Sequence, residues 1–145
     1  MPMIRLIALM LWIVGTSLHV KAEDSWVHTR DVQALRIHEN ALWVATSGGI
    51  ERYTLPDLAQ RQHITLSHGL DSLDVLALED DVEGLWARTA ASRCLLSAGA
   101  AACAPTTLAL PLPSVSGRSF QGAAVTAEIV LPFGRVIGTR GAGLW

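Results

Sequence analysis

The chain has 145 residues, half of them hydrophobic and 17% charged, with a formal net charge of −2. That length holds one modest core, and that composition excludes a disordered tail. The charge excludes a strongly basic nucleic-acid binder, and two cysteines are too few for a disulfide-scaffold miniprotein or a four-cysteine zinc site.

Residues 1–22 have the layout of a secretory signal peptide. Arg5 supplies the positive start, LIALMLWIV at 6–14 is the apolar run, and Val20 and Ala22 occupy the −3 and −1 positions of a cleavage site. A membrane-spanning helix needs about 20 apolar residues, and this run is shorter and is followed by His19 and Lys21. Export in turn permits a disulfide. The expected location is therefore the periplasm or the outside of the cell. Without the signal, residues 23–83 hold twelve acids and four Arg, whereas 84–145 hold one acid and five Arg. Such asymmetry can mark an interface, but two surfaces that complement each other inside one fold are the expected cause.

The rest of the chain repeats. Val32, Ala34, Leu35, Leu42, Trp43 and Thr46 recur 43 residues later as Val75, Ala77, Leu78, Leu85, Trp86 and Thr89. Val75, Ala77, Gly84 and Thr89 recur 50 residues later as Val125, Ala127, Gly134 and Thr139, with Val136 in the tryptophan position. The repeats run over about 26–68, 69–115 and 116–145. A period of this length is the sign of stacked supersecondary units.

In chain order, residues 32–38 alternate with period two and predict a strand. Glu39-Asn40 predicts a turn, and 41–46 a second, aromatic and β-branched strand. Gly48 and Gly49 supply a hairpin, after which 50–54 and 61–66 predict third and fourth strands. Ser67 to Asp71 connects to the second copy, which lacks the glycine turn and reads Ala90-Ala91-Ser92. The third copy restores it with Gly141 and Gly143. Four short strands per unit predict an all-β fold of β-propeller blades. Two complete four-stranded blades and a partial third make an incomplete ring.

The run Ala41-Leu42-Trp43-Val44-Ala45-Thr46-Ser47-Gly48-Gly49-Ile50-Glu51-Arg52-Tyr53 resembles the two-component regulator propeller repeat. So do the lead-in His68-Gly69-Leu70-Asp71-Ser72-Leu73-Asp74-Val75 and the turn Asp81-Val82-Glu83-Gly84-Leu85-Trp86, one residue short of the pattern. The second copy departs at Arg88 and the third at Val136. The resemblance implies the N-terminal part of a periplasmic sensor propeller. In that family a β-sandwich, a membrane helix and a cytoplasmic histidine kinase or diguanylate cyclase usually follow.

Trp43 and Trp86 recur once per repeat, so both are expected in the core between blades, where burying such a side chain contributes on the order of 2–3 kcal/mol. Propellers close with about four to eight blades, so the chain is expected to be a piece of a longer protein or to self-associate through unpaired blade edges.

The remaining candidates for chemistry are sparse. In an exported chain Cys94 and Cys103 are expected to form a disulfide worth about 2–3 kcal/mol, and their spacing is not Cys-x-x-Cys. His19, His28, His38, His63 and His68 show no metal-ligand spacing. Glu79, Asp80, Asp81 and Glu83 could ligate calcium through oxygen, but they read as a solvated turn aligned with Glu39-Asn40. Ser97, Ser114, Ser116 and Ser119 lack a nucleophile motif, and the glycines of 134–143 lack a phosphate-loop lysine. No catalytic, cofactor or metal constellation is expected. The function expected is non-catalytic recognition of an extracellular ligand, with carbohydrate the first class to consider. Nucleic acid is not expected, and a membrane would be reached only through a C-terminal part. Arg30, Asp31 and His68 to Asp71 sit in connectors where contacts concentrate. The alternatives are a fragment of an exported propeller-type lyase or hydrolase, and a degenerate truncated product.

Overall fold

The computed structural model describes residues 31–107 and 117–145. The expected export signal at 1–22, His28, Arg30, Ser114 and Ser116 lie outside the described residues. The described chain is all-β, with twelve strands and one 3-10 turn. None of its helices is long and apolar enough to cross a membrane.

Sheet I contains β1 (Val32–His38), β2 (Ala41–Thr46), β3 (Gly49–Thr54) and β4 (Arg61–Ile64), antiparallel and in that order. Glu39 and Asn40 join β1 to β2 with φ of 46° and 58°. Positive φ at both positions is what a two-residue hairpin needs to match strand twist. The fourth strand ends at Ile64, earlier than the alternation suggests, because Leu66–His68 winds into the 3-10 turn.

Sheet II repeats this order with β5 (Ala77–Asp81), β6 (Gly84–Arg88), β7 (Ser92–Ser97) and β8 (Ala100–Pro105). Sheet III contains β9 (Ser119–Phe120), β10 (Ala123–Leu131), β11 (Gly134–Thr139) and β12 (Gly143–Leu144), in the order β12-β11-β10-β9. Its fourth strand therefore comes first in the chain and pairs with β10, where sheets I and II add theirs after the third strand.

The repeat is structural as well as textual. Ala34 faces Ala45, Ala77 faces Arg88, and Ala127 faces Gly138, and the pairs that follow keep step. Both β1 and β10 carry a bulge at the same place, between Val32 and Ala34 and between Val125 and Ala127. An extra residue in one strand re-aims the side chains beyond it. Val32 and Leu35 thus join one cluster while Ala34 packs against the other, which simple alternation does not give.

Two apolar clusters order the sheets. Val32, Leu35, Leu42 and Val44 of sheet I pack with Ala127, Ile129, Leu131, Val136 and Leu144 of sheet III. Ala41, Trp43, Ala45, Ile50 and Ile64 on the other face pack with Val75 of the connector and with Leu78, Leu85, Ala87, Cys94 and Leu96 of sheet II. Sheet I is the middle layer, and the third repeat returns to the first. Polar contacts lock each junction. Asp80 accepts from His38 Nδ1 at 3.0 Å and sits 3.5 Å from Arg36 Nε. The Val75 N–H donates to the Thr46 carbonyl at 3.1 Å. The Thr126 hydroxyl donates to the Val32 carbonyl. A Cβ on Gly138 would run into Val32 Cγ1, so glycine there lets sheet III approach.

The two repeat tryptophans part company. Trp43 is 3% exposed between sheets I and II. Trp86 is only half-buried, under the Arg93 guanidinium at 4.1 Å, and its indole donates to Asp81 at 3.0 Å. The core role expected of both holds for Trp43 alone. Trp43→Ala should therefore cost about 3–5 kcal/mol in urea unfolding, and Trp86→Ala less than half of that. Equal losses would contradict the packing.

Candidate functional site

The side chains that converge most closely lie where the second repeat abandons its glycine turn. In sheet I, Thr46 Oγ1 accepts the Gly48 N–H at 3.0 Å and donates to the Gly49 carbonyl at 2.8 Å. In sheet III, Thr139 donates to the Gly143 carbonyl at 2.8 Å. Both threonines close their own hairpin. Thr89 accepts the N–H groups of Ala91 and Ser92, and its hydroxyl then meets Ser92 Oγ at 3.1 Å. Ser92 Oγ donates to Asp71 Oδ2 at 2.6 Å, and Thr89 Oγ1 lies 3.4 Å from the same oxygen.

Asp71 is delivered by the connector. Gly69 ends the 3-10 turn with φ of 101°, a left-handed conformation that glycine adopts at no steric cost. A Cβ there would also run into the Ala101 carbonyl of β8. The connector therefore lies flat on sheet II, and Leu70 enters the core beside Val75. Asp71, exposed, stands over β7.

Beneath it, Cys94 and Cys103 are directly opposed on β7 and β8 and form a disulfide. Cys94 is fully buried, with its Sγ 3.7 Å from Asp71 Oδ1. Cys103 Sγ lies 3.3 Å from the Gly69 carbonyl oxygen. Asp71, Ala91, Ser92, Cys103, Ala104 and Pro105 line a cleft of roughly 240 Å³. The Ser92 hydroxyl donates to the Asp71 carboxylate, and no imidazole is among its hydrogen-bond partners in the described residues.

The other expected residues are dispersed. His38 bonds Asp80, His63 lies 2.9 Å from the Gly48 carbonyl, and His68 Nδ1 accepts the Thr65 N–H. Gly48, Gly49, Gly141 and Gly143 belong to hairpins, and Ser97 donates to the Ala100 carbonyl. Asp31 precedes β1 at a bend.

The acidic run needs correction. Glu79, Asp80 and Asp81 lie on β5, and only Val82 and Glu83 make the turn. Arg88, 4% exposed, meets Glu79 at 3.4 Å, and Arg93 bridges Glu79 and Asp81. These guanidiniums occupy oxygens that a calcium ion would need. Burial, then the Glu51 carboxylate that accepts its hydroxyl, push Tyr53 far above the usual phenol value.

Sequence reading placed Asp71 in a connector and Cys94 with Cys103, but not Thr89 and Ser92 beside them. The one visible signal was the lost glycine turn two residues before Cys94. No family model matches the chain, and no curated protein matches it.

The Glu83 backbone N–H, then Arg93 and Trp86, hold the Asp81 carboxyl below the usual aspartate range. A carboxyl depressed on folding contributes stability above its unfolded pKa and loses it as pH falls through the folded one. Urea midpoints of the wild type and Asp81→Asn should therefore differ at neutral pH and converge as pH drops below about 4. A gap that widens on acidification would contradict the assignment.

Proposed function

We propose that the chain is a non-catalytic, exported module of propeller-type blades that recognises a ligand or a protein outside the cytoplasm. On the resemblance to two-component regulator propeller repeats, it is the N-terminal part of a hybrid sensor or a similar signalling protein. The observation that carries the reading is the repeated register. In all three sheets the strands β1/β2, β5/β6 and β10/β11 pair in the same register at offsets of 43 and 50 residues. They pack face to face, with the Trp43 position of one sheet against the Leu42 position of another. Stacked sheets of this kind are the building unit of propellers. The disulfide accords with an oxidising compartment.

The test is expression of the full chain with its leader in a Gram-negative host. Cleavage after Ala22 and recovery in the periplasmic fraction are expected. The purified product should then bind members of a glycan array without altering them. Retention of residues 1–22 in the cytosol overturns the export reading. Breakdown of a bound polysaccharide overturns the non-catalytic one.

A further inference from the structure

We propose that Asp71, Cys94 and Cys103 form a redox-gated site for a zinc-class divalent cation, loaded when a dithiol opens the disulfide. The ligand atoms of these three residues all lie within 4.8 Å of one another. They are the one group of three or more potential metal ligands among the described residues. A tetrahedral zinc with two thiolates and a carboxylate oxygen sets S···S at about 3.8 Å and S···O at about 3.5 Å. Asp71 Oδ1 already stands 3.7 Å from Cys94 Sγ. Breaking the disulfide lets the sulfurs part, and the carboxylate already lies within 4.8 Å of both.

The frame around them is held independently of that bond. Ser92 to Ser97 pairs with Pro105 to Ala100 along both strands, on either side of the cysteines. Ser92 Oγ donates to Oδ2 of Asp71, leaving Oδ1 turned to the Cys94 sulfur. That hydroxyl, fixed by Thr89, orients the carboxylate as outer-shell partners do in metal sites. Asp71 and Cys103 line the cleft, which leaves room for water at the fourth position of the metal.

Electrostatics drive the loading. Two thiolates beside a carboxylate would place three negative charges together, and the hydrogen-bond donors at Asp71 are hydroxyls. A divalent cation offsets two of the three. The steps balance. A dithiol passes two electrons and two protons to the Cys94–Cys103 bond, becoming a disulfide itself and leaving two thiols. The cation then displaces both thiol protons and forms two metal–sulfur bonds and one bond to Oδ1. The oxidised pair offers no thiolate, so the same atoms hold either a disulfide or a metal.

The experiment uses the full chain, reduced anaerobically, freed of reductant and titrated with cobalt(II), with circular dichroism recorded alongside. The reduced wild type should stay folded and bind one equivalent. It should show thiolate-to-cobalt charge transfer in the near ultraviolet and tetrahedral bands in the visible. The oxidised chain should show neither. Cys94→Ser should abolish the charge-transfer band, and Asp71→Asn should weaken cobalt by about tenfold or more, the loss seen even for outer-shell partners. Unfolding on reduction, or a folded reduced chain without the bands, overturns the site. Undiminished affinity in Asp71→Asn overturns the third ligand.

Discussion

β2 has no exposed residue: Ala41, Leu42, Trp43, Val44, Ala45 and Thr46 are all buried. A strand apolar on both faces cannot lie at a water surface and must be covered twice. This requirement places sheet II on one side of sheet I and sheet III on the other. Sheets II and III each gain an apolar partner from sheet I, so the order of layers follows from one strand.

The same repeat serves three environments by changing few residues. At the I–II junction, Arg36 and His38 face Asp80. The third repeat carries Ile129 and Leu131 where the first has Arg36 and His38, and these apolar side chains meet sheet I. In the second repeat, Arg88 and Arg93 stand where the first has Ala45 and Ile50, and they pair with Glu79 and Asp81 rather than entering an apolar cluster. The hairpin threonine is constant, and in sheet II its hydroxyl lies near Asp71, beyond the hairpin.

Much of this was legible. Period-two alternation and the glycine turns located β1 to β3 to within a residue, because those signals are local. The bulge at Gln33 was not legible, since no glycine or proline marks it. The alignment with Glu39-Asn40 holds for only part of the acidic run, since a 43-residue offset puts Val82-Glu83, not Glu79 to Asp81, opposite that turn. Trp86 was read by its repeat position, whereas its burial depends on what packs against it. The return of sheet III to sheet I is a choice between apolar faces distant in sequence, and no local pattern encodes it. The cleft at Asp71 depends on the same kind of long-range approach, made by Gly69 against Ala101.

The central claim is that sheet I lies between the other two. It is tested most directly by an NMR cross-relaxation measurement on the full chain between the Val32 methyl groups and the Gly138 α-protons. The account predicts a strong signal, because the missing Gly138 side chain is the space that Val32 Cγ1 fills. If the Ala127–Gly138 cross-strand signal is present and the Val32–Gly138 signal is absent, sheet III is formed but docked elsewhere. That result would contradict the account.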